Sequence, residues 1–290
     1  MGSPEKIGVI IPTRNAGPEF RRCLQPVRAC CEVARCLVVD SGSTDGSAEL
    51  AAELGCEVVA IAPQTFNHGS TREMARSLLD TPIIVFLTQD AILTDPDAIL
   101  RLIAPIRSGA ADIAYGRQLP KPGSDLFESL PRLFNYPEVS AIRRIGDVPE
   151  HGVFTFFCSN SFAAYRQASL DRVGGFPTVL TNEDYFVTAA ILKQGGAIAY
   201  VAEAQAWHSH RYTLKQEYLR YYDAGVVRGE RPWVQQLVGN AEGRGVRMSG
   251  ALLSTLLRTR PWMVPYCFLH LLMKWVGFRV GMFAGSRRRV

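Results

Sequence analysis

Residues 83–91 read Ile-Ile-Val-Phe-Leu-Thr-Gln-Asp-Ala, an unbroken apolar run that stops on a polar triplet ending in Asp90. Five consecutive apolar residues, three of them β-branched, cannot alternate between a wet and a dry face. The strand they form is expected to be buried on both sides, as in a parallel sheet covered by helices. Open sheets of that kind bind ligands at the C-terminal ends of their strands. Asp90 therefore stands where chemistry is expected.

The chain before this strand alternates in the same style. Residues 6–13 predict a first strand, residues 19–33 a helix carrying Phe20, Leu24 and Val27 at three-to-four spacing, and residues 36–40 a short strand ending on Asp40. Ser41 to Ser47 is turn-rich, with Asp45 placed to cap a helix over 47–54, and residues 57–62 predict a third strand. Such β-α-β-α-β order implies parallel strands with right-handed crossovers. A polar loop from Phe66 runs into a helix that stops before Pro82; a helix over 93–106 and a strand over 112–118 follow. Between 119 and 155 regular periodicity is lost and five prolines intervene, which marks either a functional or mobile loop or a plain surface connection with one short helix. Strand-like composition returns at 156–165, a helix is expected from 183 to about 194, a last strand over 197–204, and a further helix from Leu214. The fold class expected is α/β, a mostly parallel sheet flanked by helices. Residues 1–225 are expected to form one α/β domain, in halves divided near residue 118, and residues 226–290 a helical, basic extension.

The net charge of +5 is unevenly spread: residues 201–290 hold 14 Lys/Arg against 5 Asp/Glu, leaving 18 against 22 for the first 200. That asymmetry argues against a nucleic-acid surface over the α/β part. Seven scattered cysteines without C-x-x-C spacing read as reduced thiols of a cytoplasmic protein. Met1-Gly2-Ser3 is followed by no apolar stretch of the kind a signal peptide carries. Beyond Glu242 there are nine Lys/Arg and no acid, with apolar stripes through Leu252–Leu257 and Leu269–Phe283. The uncharged run 261–273 is shorter than the roughly 18–20 residues of a spanning helix. It suits a helix lying on an anionic membrane surface, or one packed on the core or on a second subunit.

Carboxylates recur at strand and helix ends: Asp40, Asp90, and the pair Glu183 and Asp184. Together with His208 and His210 they fit one chemistry. A departing diphosphate needs its developing charge neutralised, which Mg²⁺ or Mn²⁺ held by a carboxylate and an imidazole does as a Lewis acid. Displacement at a sugar carbon with inversion also needs a base for the acceptor hydroxyl, and a carboxylate at a helix start suits that role.

The ordered motifs resemble those of the inverting family 2 glycosyltransferases of GT-A fold, and among them the bacterial rhamnosyltransferases that use dTDP-L-rhamnose, over about residues 6–225. PTRN at 12–15 is similar to the first nucleotide loop, implying contacts from Pro12, Thr13 and Asn15. VVDSGSTDG at 38–46 is similar to V-D-D-G-S-x-D-G, which implies Asp40 on the pyrimidine base beside Ser41, where the family usually has a second Asp. FNHGSTR at 66–72 resembles the rhamnosyltransferase form and implies nucleotide or phosphate contacts from Asn67, Gly69 and Arg72. TQD at 88–90 takes the place of the D-x-D motif: its first acid is missing, which implies Asp90 as the carboxylate left for the metal, and the TQDA form with Gln89 again resembles the rhamnosyltransferase branch. NED at 182–184 implies Asp184 as base with Glu183 orienting the site. WHSH at 207–210 implies His208 or His210 beside the metal. The implied reaction is transfer of rhamnose to a saccharide or lipid-linked glycan at the inner face of the cell membrane. The competing expectations are the same reaction with UDP-N-acetylglucosamine or UDP-galactose, and a non-catalytic membrane-associated scaffold retaining the fold. A nucleotidyltransferase would need a Gly-rich basic N-terminal loop that this chain lacks.

Overall fold

The computed structural model describes residues 6–238 and 243–288; the Met1-Gly2-Ser3 start, Glu242 and the last two residues of the basic tail lie outside the described residues. The first half runs β1 (Ile7–Thr13), α1 (Phe20–Ala29), β2 (Val33–Asp40), α2 (Ser47–Glu53), β3 (Glu57–Ala60), α3 (His68–Ser77) and β4 (Ile83–Leu87). Next come β5 (Ile92–Leu93), α4 (Ala98–Arg107), β6 (Ile113–Leu119), α5 (Leu126–Asn135), β7 (Ala141–Arg144) and α6 (Val148–His151). The chain continues through β8 (Phe162–Arg166), α7 (Gln167–Arg172), α8 (Glu183–Lys193), β9 (Ala197–Trp207), α9 (Leu214–Glu230), α10 (Trp233–Val238), α11 (Gly243–Thr259) and α12 (Val264–Ser286).

All strands of the described residues join one sheet in the order β3-β2-β1-β4-β8-β6-β9-β5, with β7 pairing β9. Strand β4 is buried along its whole length, as its composition requires. Ile83, Val85 and Leu87 enter the core on one face with Phe20, Leu24 and Leu102, while Ile84 and Phe86 enter the other with Ala75, Tyr165 and Phe186. The expected parallel set covers β3, β2, β1 and β4. Beyond it the sheet is mixed: β8 runs antiparallel to both β4 and β6, and β6 runs parallel to β9.

That mixed order places the site. Two reversals cancel, so β6 and β9 point the same way as β4, and residues following β1, β2, β4, β6 and β9 all leave from one edge of the sheet. Strand β8 points the other way, so Asn160, which precedes it, lies at that same edge. One sheet edge thus gathers Thr13, Asp40, Asp90, Gln118, Asn160 and His208.

Several expectations need correction. The helix read over 19–33 stops at Ala29, where Cys30 turns extended and Val33 enters the β ladder opposite Ile7. Residues 119–155 are regular: Asp125 caps α5 by accepting from the N–H groups of Phe127 and Glu128, and β7 pairs with β9. Pro131, which reads as a breaker, is tolerated inside α5. A boundary near residue 225 falls inside α9, which is unbroken to Glu230 and packs along α12. Their backbones touch: a Cβ on Gly281 would lie 2.1 Å from the Tyr222 carbonyl oxygen, and one on Gly285 equally close to that of Val226. With its preceding turn, α12 forms a helical segment over Pro261–Ser286, long and apolar enough by length and composition to cross a membrane. The sequence estimate was shorter because it stopped at Lys274.

Candidate active site

Asp90 leaves the end of β4 and meets the segment after β9. Its Oδ1 lies 3.4 Å from His208 Nε2 and its Oδ2 3.3 Å from His210 Nε2, with the two imidazole Nε2 atoms 3.1 Å apart. The three donor atoms fall within 4.8 Å of one another, the arrangement a single cation needs. Gln118 decides how His208 is presented. Its Nε2 donates to Ser159 Oγ at 2.8 Å, so its Oε1 is the acceptor that faces His208 Nδ1 at 2.9 Å; Arg132 donates to the same oxygen. An amide oxygen only accepts, so Nδ1 carries the imidazole proton and Nε2 turns its lone pair toward Asp90. Burial lowers the pKa of His208, and burial with the neighbouring imidazole lowers that of His210 to about 4. Burial alone would push Asp90 up, but its setting beside His208, His210 and Lys121 outweighs it and holds the carboxyl well below its usual range. Neutral imidazoles and an ionised carboxylate are the forms that ligate, and lone pairs facing one another this closely repel unless a cation or proton lies between them. The donor set fits a divalent metal.

Across β1 and β2, Thr13 and Asp40 stand opposite in register. The Thr13 carbonyl accepts from the backbone N–H and the hydroxyl of Ser41. Asp40 is buried; its Oδ2 accepts from the N–H groups of Gly42 and Ser43, while Oδ1 is buried without a hydrogen-bond partner among the described residues. Asn15, held at φ 47°, donates its N–H to Ser43 Oγ and accepts from the Thr44 N–H, tying the loop after Pro12 to the loop after β2. Gln89 braces the first loop from the other side: Oε1 accepts from the Arg14 N–H at 2.7 Å and Nε2 donates to the Arg14 carbonyl at 3.1 Å.

The FNHGSTR segment is held by contacts within the protein. Asn67 Oδ1 caps α3 by accepting from the Gly69 and Ser70 N–H groups. Gly69 is required by packing, since a Cβ there would sit 1.8 Å from the Pro177 carbonyl oxygen. Arg72, expected on phosphate, is 3% exposed and donates to the His68 carbonyl, with its guanidinium 3.2 Å from Glu183 Oε1. Its guanidinium is thus paired inside the protein with Glu183.

That pair organises the start of α8. Glu183 is buried and also accepts from Asn160 Nδ2 at 2.9 Å, while Asp184 Oδ2 accepts from the Asn160 N–H at 3.2 Å. Burial raises the pKa of both carboxyls. For Glu183 the Arg72 guanidinium, His68 and Asn160 reverse the effect, and it stays below its ordinary value. For Asp184 the Glu183 charge adds to burial and lifts it to about 7. Two adjacent carboxyls are thus driven apart, one a fixed anion and the other able to take a proton near neutrality. Four contributors were missed in the sequence. Gln118, Asn160, Lys121 and Arg132 belong to no charged or histidine motif, and they reach the site through strand order; only the position of Gln118 at a strand end, as for Asp90, could have flagged it.

Residues 8–174, more than half the chain, match the family described as Glycosyl transferase family 2. The chain belongs to that family. This glycosyltransferase is 38% identical to the O-antigen chain rhamnosyltransferase RfbN of Salmonella typhimurium over 281 residues, 95% of this chain and 89% of that protein. It is 36% identical to the O-antigen chain rhamnosyltransferase WbaN of Salmonella anatum over 280 residues, 94% and 88% of the two chains. Among solved structures it resembles the mannosyltransferase PcManGT from Pyrobaculum calidifontis in complex with GDP-Man and Mn²⁺, with TM-score 0.61, 16% identity, and 98% and 86% of the chains covered. It also resembles TarS of S. aureus in complex with UDP-GlcNAc, with TM-score 0.57, 14% identity, and 98% and 92% covered. At such identities the likeness establishes the fold, which is GT-A.

Since Gln118 holds His208 in the ligating tautomer, Gln118→Leu is expected to lower Mn²⁺ affinity about 10- to 100-fold, as loss of an outer-shell partner does. Isothermal titration of the folded variant against wild type checks it, and equal affinities would remove Gln118 from the account.

Proposed function

We propose that the glycosyltransferase transfers L-rhamnose from dTDP-L-rhamnose, with inversion, to a hydroxyl of a saccharide or lipid-linked glycan acceptor in bacterial surface polysaccharide assembly. The observation that carries the reaction type is the carboxyl pair at the start of α8, split by Arg72, on the same sheet edge as the Asp90–His208–His210 donor set. The donor sugar is inferred from the two O-antigen rhamnosyltransferases that align along nearly the whole chain.

In this reading the unpartnered Oδ1 of buried Asp40 accepts the imide N–H of the thymine ring, and Pro12, Thr13, Asn15 and Ser41 shape the slot for the nucleoside. Gln89 contributes indirectly by bracing Arg14, and Asn67 and Gly69 by fixing the start of α3. Asp90, His208 and His210 hold Mg²⁺ or Mn²⁺, which supplies positive charge against the departing diphosphate when bound. Lys121 and Arg132, whose charges act on His208, add to the positive field on the leaving-group side. Asp184 takes the proton of the acceptor hydroxyl as its oxygen bonds to the anomeric carbon; the carbon–oxygen bond to the diphosphate breaks and its electron pair leaves with dTDP. A base with a pKa of about 7 is ionised above that value, so transfer rises with pH through neutrality.

The membrane is a further part of the proposal. Trp262 is 74% exposed and Trp275 63%, with Phe268, Leu272 and Phe283 also exposed on the C-terminal helices, and Arg258, Arg260, Arg279 and Arg287 stand among them. Exposed aromatics interleaved with arginine suit an anionic headgroup layer. Backbone contact between α12 and the polar helix α9 holds α12 alongside the catalytic domain, favouring a helix lying on the inner face of the membrane over one crossing it.

Asp184→Asn is expected to bind dTDP within about twofold of wild type and to lose transfer by a factor of 10² or more. In the wild type, dTDP-rhamnose is expected to be turned over in preference to UDP-N-acetylglucosamine and UDP-galactose; transfer surviving within tenfold in the variant, or preference for a UDP-sugar, overturns the corresponding assignment. Sedimentation with phosphatidylglycerol vesicles is expected to fall at least about fivefold on Trp262→Ser/Trp275→Ser, whereas unchanged partitioning counts against the membrane face.

A further inference from the structure

Residues 158–165, Cys-Ser-Asn-Ser-Phe-Ala-Ala-Tyr, bring three uncharged polar side chains up to the carboxyl pair at the start of α8. We infer that Tyr165 is a positioning residue of the transfer reaction: its hydroxyl fixes which way the Asn160 amide faces, and through Asn160 it holds Glu183 and Asp184 in place. The inference rests on the reading of Asp184 as the base.

The donors and acceptors admit one arrangement. Asn160 Nδ2 lies 2.9 Å from Glu183 Oε1, and the Asn160 backbone N–H serves Asp184. A glutamate held ionised by Arg72 only accepts, so the amide turns its nitrogen to Glu183 and its oxygen away. That oxygen meets the Tyr165 hydroxyl at 2.8 Å. An amide oxygen also only accepts, so the hydroxyl donates, and its own oxygen is left for the Cys158 thiol 3.4 Å away. Polarity therefore runs one way, from thiol to hydroxyl to amide to carboxylate. Turning the amide over would set its oxygen against the Glu183 carboxylate.

Tyr165 can orient a neighbour because it is itself fixed. Strand β8 pairs it with Ile84 of β4 on one side and Ile113 of β6 on the other. Its ring is fully buried and meets Phe86 and Phe176 edge to face, with centroids 5.7 and 5.3 Å apart. A ring packed in this way places its hydroxyl at one point. The first turn of α8 is thereby aligned on the sheet.

Tyr165 acts without a charge. Burial pushes its hydroxyl well above the usual range, and pushes the neighbouring Cys158 thiol and Tyr136 hydroxyl up to about 12. Burial and the Arg72 charge lower the pKa of His68, the remaining titratable group beside Glu183. Near neutrality the charges acting on Asp184 are those of Glu183 and Arg72. Deleting the Tyr165 hydroxyl removes none of them. A change in the Asp184 titration on Tyr165→Phe then reports hydrogen bonding alone. In that variant Asn160 Oδ1 would be buried and unpaired, a costly state that the side chain relieves by turning away from Glu183. Glu183 loses a donor that favours its anion, and Asp184 loses part of the negative charge that raises it.

The test follows the Asp184 γ-carboxyl by carbon-13 NMR in Tyr165→Phe, Asn160→Ala and the double variant of the full chain, with the thermal shift given by dTDP reporting folding. The midpoint is expected to fall about one pH unit in Tyr165→Phe, and to move no further when the same substitution is added to Asn160→Ala. Release of dTDP from dTDP-L-rhamnose, with water as acceptor, is expected to fall about tenfold in Tyr165→Phe. A midpoint that stays at the wild-type value in a variant keeping its dTDP shift overturns the proposal, and so do additive effects in the double variant. A midpoint that moves while dTDP release does not leaves Tyr165 positioning the pair and sinks the base reading instead. Should Tyr165→Phe lose the dTDP shift, the wild type decides. Its Tyr165 hydroxyl proton is expected as a slowly exchanging resonance that disappears in Asn160→Ala, and persistence there overturns the proposal.

Discussion

The catalytic half of this molecule hangs on one buried ion pair, between Arg72 on α3 and Glu183 at the start of α8. Both side chains are almost fully buried, and removing either would leave an uncompensated charge in the interior, a loss of about 3–5 kcal/mol. The pair fixes two helices that flank the sheet edge and decides where a proton resides. Because the guanidinium keeps Glu183 ionised, the neighbouring Asp184 faces a fixed negative charge and holds its proton to about pH 7. Asn160 bonds to both carboxyls and locks their relative positions. A buried charge thus sets the basicity of the carboxyl beside it.

The metal donor set depends on a different constraint, the reversal of β8. Had the sheet continued parallel from β4, the end of β9 and its two histidines would still need a neighbour at the same edge. The mixed order supplies one through β6, whose Gln118 orients His208. His208, from the second half of the chain, is therefore aimed by Gln118 from the first.

This division explains what could be read from the sequence. Local patterns were legible: the apolar run of β4, the carboxylates that end β2 and follow β4, the acidic start of α8, and the parallel set from β3 to β4. Contacts between distant segments were not. Arg72 looks like a phosphate ligand beside Asn67 and Gly69, and only the fold shows its charge turned inward to a glutamate more than a hundred positions away. Pro131 hides a capped helix, and the glycines of α9 and α12 read as weak helix positions until their backbones are seen in contact. Close helix packing also gives α12 two sides, an exposed apolar outer face and an inner face laid on α9.

The central claim is that Asp184 is the group whose proton is held near neutrality by Glu183. Carbon-13 NMR of protein labelled at the aspartate γ-carboxyl, with the Asp184 resonance assigned by its absence from the Asp184→Asn spectrum, reads this directly. The account predicts a titration midpoint near pH 7 for that carboxyl. A midpoint near pH 4, the ordinary value for an aspartate, would contradict it.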